Sequence, residues 1–145
     1  MNRRRALGAL GAALVVLVGA VVLWPRSAGV PAGISVRLEN FSIVAPETVP
    51  AGALTFVAFG EGPSMHELNI AETSIAPTQL PVAADGTIDD QTEHAGFRHV
   101  AEAEGIDIGD HAVLRVNLTP GHYVMYCNME GHYQAGMVKA FEVTP

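Results

Sequence analysis

The chain has 145 residues, 49% of them apolar, and a formal net charge of −7. That is enough for one domain with a real core and little more. The acidic balance excludes a nucleic-acid binder, which needs a basic face. The single cysteine, Cys127, excludes any disulfide within the chain.

The N-terminus carries Arg3, Arg4 and Arg5, then nineteen uncharged residues from Ala6 to Trp24, closed by Pro25 and Arg26. As a helix this stretch would reach about 28 Å, near the hydrocarbon thickness of a bilayer. Arginines ahead of an apolar run read as positive-inside, which places the rest outside the cytoplasm, periplasmic or at the cell surface. A buried core helix seldom runs this long without a polar face. Residues 1–26 are therefore expected to be a signal or anchor helix, retained rather than cleaved because Ser27-Ala28-Gly29 is a poor cleavage site. Beyond Arg26 only Arg37, Arg98, Arg115 and Lys139 oppose all fifteen acids, a net charge of −11. Such a body could steer a basic partner or be simply soluble.

Residues 27–33 read as a linker around Pro31, and 34–145 as the folded domain. Ile34, Val36 and Leu38 alternate with Ser35, Arg37 and Glu39, a strand that continues through Phe41 and Ile43 after a slip of phase read as a bulge. Leu54 to Phe59 is a compact apolar run fit for a buried strand, ended by Gly60, Gly62 and Pro63. Met65 to Ala71 alternates again, with His66, Leu68 and Ile70 on one face, so His66 points to the core. Residues 72–110 are the least legible. Pro77, Pro81 and Asp85-Gly86 mark turns, and Asp89 to Glu104 is expected as a helix capped by Asp89 or Asp90 and stopped by Gly105.

From Ala112 to Leu118 the pattern is a strand, then Thr119-Pro120-Gly121 turns the chain. Tyr123 to Cys127 is a strand ending at the cysteine, Asn128 to Gly136 a loop, and Met137 to Val143 a final strand. About seven short strands with turns between them suggest an all-β sandwich.

The chemistry concentrates in Cys127, His132 and Met137, spaced C-x4-H-x4-M on a strand end and the loop after it. Cys127 offers a soft thiolate, His132 an imidazole nitrogen and Met137 a weak thioether. Gly131 and Gly136 let the backbone turn sharply beside them. His66, 61 positions before Cys127, supplies the missing strong ligand. Two histidines and a thiolate with a long axial methionine form the ligand set of blue copper, whereas structural zinc seeks four strong ligands. A bound thiolate also accounts for a lone cysteine in an exported chain, where free thiols oxidise. Singly, each residue has a bland reading as core or loop. Together, at this spacing, they point to metal.

Leu118-Thr-Pro-Gly-His-Tyr-Val-Met-Tyr-Cys127, followed by Gly-His-Tyr-Gln-Ala-Gly-Met137, resembles the C-terminal half of cupredoxins, and the spacing is similar to rusticyanin-like and sulfocyanin-like members. Azurins and plastocyanins have shorter ligand loops. The resemblance implies a Greek-key β-sandwich with one copper ion held by His66, Cys127, His132 and Met137. It implies a monomeric electron carrier, not an enzyme, with a redox partner such as a membrane-bound oxidase or cytochrome. Two departures touch the surroundings of the metal. Glu67 follows the first histidine where many members carry asparagine, and Glu130 stands where proline is common. A copper carrier that delivers metal is the alternative, given Met65, Met125 and Met129. His94 and His99, five apart, are poorly placed to share a helical face, so a second metal is not expected there.

Overall fold

The computed structural model describes residues 29–145; the expected signal or anchor helix at 1–26 lies outside them. Nine strands follow in order: β1 Ile34–Glu39, β2 Ser42–Val44, β3 Thr48–Pro50, β4 Gly52–Gly60, β5 His66–Thr73, β6 Phe97–Ile106, β7 His111–Leu118, β8 Gly121–Tyr126 and β9 Val138–Thr144. One 3-10 turn, Pro77–Gln79, lies between β5 and β6. No helix among the described residues is long and apolar enough to cross a membrane.

The strands make two mixed sheets, ordered β2-β1-β4-β7 and β3-β9-β8-β5-β6. β1 runs parallel to β4, and β3 parallel to β9; the other pairs are antiparallel. Apolar residues at alternate positions face the space between the sheets, because successive side chains on a strand point to opposite faces. Val36, Leu38 and Phe56 from one sheet meet Leu68, Ile70, Met125 and Phe141 from the other in a single core. The fold is the expected all-β sandwich.

Two local expectations are corrected. The slip of phase near Phe41 is not a bulge. It is a two-residue turn, Asn40-Phe41, pairing Glu39 with Ser42 across a hairpin, with Phe41 at a φ of 58°. The helix expected over Asp89 to Glu104 is absent: 89–96 is loop and Phe97–Ile106 is β6, paired with β5. The Ala-Glu alternation there has a period of two as well as good helix propensity, and pairing along β5 overrides propensity. The capping chemistry itself is real. An Asp89 carboxylate oxygen accepts from the Thr92 N–H at 3.1 Å, closing a turn that no helix continues.

The outer face of the larger sheet is covered by the segment between β5 and β6. Leu80 and Ile88 from that segment pack with Ala71, Phe97, Val124, Tyr126 and Tyr133 in a second, smaller core. Residues 74–96 are thus a strap across the sheet that carries the site.

Candidate metal centre

β5 and β8 are neighbours, with Asn69 opposite Tyr126 and Ile70 opposite Met125. His66 opens β5 and Cys127 ends β8, so both arrive at one end of the sandwich. His66 shares its inward face with Leu68 and Ile70 and is 0% exposed; Cys127 is equally buried. The loop after Cys127 folds back by turns. His132 N–H donates to the Met129 carbonyl, Met137 N–H to the His132 carbonyl, and Cys127 N–H to the Met137 carbonyl, at 3.0–3.1 Å. Gly131 and Gly136 take φ of 82° and 101°, left-handed values that side chains disfavour. The loop is closed on Cys127 at both ends, with Met137 buried beside it in the core.

One donor atom from each of His66, Cys127 and His132 lies within 4.8 Å of the others. Cys127 Sγ is 3.3 Å from His132 Nδ1, and the two imidazole rings are 5.2 Å apart between centroids. Neither ring nitrogen of His66 has a hydrogen-bond partner, although both are buried. Buried polar atoms are almost always paired, so two orphans on one ring mark a place where something else binds. The Glu67 N–H donates to Cys127 Sγ at 3.3 Å, a contact that favours a thiolate-like sulfur.

Electrostatics agree. Burial, and then the His132 imidazole, hold His66 below the ordinary histidine range, so it stays neutral and ready to donate. Burial pushes the Cys127 thiol up; binding must therefore expel a proton, as a coordinating metal does. Nitrogen, nitrogen and sulfur donors of this softness fit copper. His66, Cys127 and His132 converge on this end, and the backbone of Met137 is bonded to that of Cys127.

Several contributors were not legible from spacing. Asn128, next to Cys127, accepts from the Ile88 N–H at 2.6 Å and donates to the Ile88 carbonyl and to Asp90 Oδ2 at 3.2 and 3.1 Å. Tyr133 OH accepts from the Leu80 N–H and donates to the Pro77 carbonyl, both at 3.0 Å, and the Gln134 amide donates to the Gly86 carbonyl. The strap thus braces the ligand loop. Phe41 meets the half-buried His132 edge-on, 5.3 Å between centroids at 89°. Gly62 lies against His66, where a Cβ would stand 2.6 Å from Nε2.

The model of the sulfocyanin (SoxE) domain family matches residues 45–144. No curated protein sequence matches the chain. Among solved structures, reduced auracyanin from Roseiflexus castenholzii is similar at 20% identity, covering 81% of this chain and 100% of its own, with a TM-score of 0.58. Auracyanin B follows at 18% identity, covering 77% and 88%, with a TM-score of 0.55. An azurin of the methylotroph Methylomonas sp. strain J is 12% identical, covering 77% and 96%, with a TM-score of 0.51. At these identities the structural likeness shows the fold, and the domain match adds the family: the chain belongs to the sulfocyanin family of cupredoxins.

Proposed function

We propose that this protein carries single electrons outside the cytoplasm, with one copper ion held by His66, Cys127, His132 and Met137. The observation that carries the reading is the buried His66-Cys127-His132 cluster, its donors within 4.8 Å and both His66 nitrogens unpartnered. Copper, when bound, supplies a one-electron couple. The chain's own residues supply the rest. The two sheets and the strap fix the donors in advance, so little rearrangement need accompany a change of charge. The Glu67 N–H draws charge from the sulfur. His132, the half-buried member, brings the site nearest the surface.

The organisation that fits this role is an N-terminal signal or anchor at 1–26, a linker at 27–33 and the copper domain at 34–145. Tethering at a membrane raises the effective concentration of carrier and partner. The partner is a redox protein, such as a membrane-bound oxidase or cytochrome. The reading is of a carrier rather than an enzyme, acting as a monomer. Metal delivery is the second reading: Met125 is fully buried in the core and unsuited to passing copper outward, while Met65 beside His66 is exposed. The test follows copper content and redox state together while the reduced protein is mixed with membrane acceptors. Oxidation with copper retained is expected. Transfer of the metal itself, leaving the chain empty, would falsify electron carriage.

A further inference from the structure

A second cluster of ligating groups lies on the outer face of the larger sheet, under the strap. β6 is irregular against β5. Ala71 pairs with His99 but Ile70 with Ala101, so Val100 is an extra residue. In a regular strand, residues three apart point to opposite faces. The extra residue cancels that, and His99 and Glu102 emerge on the same face, a bulge re-aiming a side chain. The strap then lowers Asp90 onto them. One ligating atom from each of Asp90, His99 and Glu102 lies within 4.8 Å of the others.

The environment calls for a cation. Arg98, the only basic residue of β6 besides its histidine, pairs away with Glu72. Asn69, 1% exposed, lies between Glu102 on β6 and Tyr126 on β8 in the register. His99 Nε2 is buried and without a hydrogen bond, 3.8 Å from Glu102 Oε2. The cluster is reached from a cleft of about 1030 Å³ whose walls include Asp90, His94 and His99.

We propose that Asp90, His99 and Glu102 form a second metal site for a divalent cation of the zinc class. One imidazole nitrogen and two carboxylates, with room for water, is a donor set such ions accept. Asp90 Oδ2 also accepts from Asn128 at 3.1 Å and Tyr126 OH at 3.3 Å. A cation there would be tied to the residues on either side of Cys127.

The site is tested with zinc chloride alone, titrated into the full copper-loaded chain kept reduced, by calorimetry and by amide shifts. One further equivalent of zinc is expected, with shifts centred on residues 90, 99 and 102. Changing a residue that only orients a ligand costs about 10- to 100-fold in affinity. His99→Gln and Glu102→Gln, which remove ligands, should each cost at least that much. His94→Gln, next door on the same cleft, should leave binding within about twofold. The blue band of the oxidised form reports that each variant is folded. The same zinc equivalent is expected in Cys127→Ala, so the site stands or falls apart from the copper reading. No second equivalent, or binding that survives both His99→Gln and Glu102→Gln, overturns the proposal.

Discussion

Gly62→Ala is the sharpest test of how the fold holds the first histidine. An added Cβ would stand 2.6 Å from His66 Nε2, 2.8 Å from the Asn40 backbone nitrogen and 3.1 Å from the Glu39 carbonyl carbon. Ordinary contact begins at 3.4 Å, so the ring would have to withdraw by roughly 0.8 Å or the backbone part by a similar amount. Two of the three obstacles are backbone, which withdrawal of the ring does not relieve, so both the ring and the local backbone must shift. Overpacking of this kind costs about 1–3 kcal/mol, or a fall in Tm of roughly 4 °C for each kcal/mol in a domain of this size. The functional cost is larger, because metal–ligand distances tolerate only about 0.2 Å. A displaced His66 should weaken copper binding by at least about tenfold, the cost of losing a supporting contact. The assay compares copper affinity by competition with a chelator and the thiolate-to-copper spectrum in both proteins. A variant with unchanged affinity and spectrum would refute the placement of His66 against Gly62.

Cys127→Ser should abolish the blue colour, read directly in the visible spectrum, while Met137→Leu keeps copper and raises the reduction potential because a weak donor to Cu(II) is lost. Asn128→Ala leaves the Ile88 N–H and carbonyl without their partner; denaturant unfolding should show a loss of about 1–3 kcal/mol. Phe41→Ala uncovers His132, so copper should leave faster to an external chelator, measured as a rate with thermal stability as control. The metal-free chain should be most stable between about pH 6.5 and 8.5. His66 is held down in the fold, so below about pH 6.5 the unfolded chain binds more protons and stability falls with acid. The Cys127 thiol is held up, so above about pH 8.5 the unfolded chain loses a proton the fold keeps, and stability falls again. Thermal scans across pH check both limbs; Cys127→Ala should lose the alkaline one.

The copper end was legible because its signals are local. Cys127, His132 and Met137 sit in eleven consecutive residues with glycines at the two positive-φ turns. His66 was legible for a different reason: period-two alternation put it on the inward face with Leu68 and Ile70. The strap was not legible, because its information is non-local. Asn128 says nothing about Ile88 until β5, β6 and β8 are side by side. The Ala-Glu stretch of β6 misled because helix propensity is an intrinsic property and strand pairing is not. Asp89 misled further, since its side-chain bond to the Thr92 N–H is the same one a helix cap makes.

The misread stretch also changes what the acidic surface does. Had 89–104 been a helix, its carboxylates would have been spread around a cylinder and solvated. As a bulged strand beneath a strap, Glu102 and Asp90 are gathered on one face with His99; burial raises the Glu67 carboxyl beside the first copper ligand, and the charges of Glu104, Glu102 and Asp90 add to it. Burial, and then the Asp90 charge, push the Tyr126 hydroxyl far up, so Tyr126 stays protonated and donates to Asp90. The negative charge is therefore structured, with the two residues flanking Cys127 bonded to it. Glu102 is exposed, and its charge is screened at physiological salt within about 8 Å, whereas the half-buried Asp90 acts more strongly on its neighbours. The outer face of the sheet is thus an electrostatic partner of the copper end, and substitutions at Asp90 or Glu102 should move the copper potential upward even though neither residue is a copper ligand. Potentiometric titration of Asp90→Asn decides it: a potential equal to that of the parent protein in zinc-free buffer would show that the cluster is screened from the site.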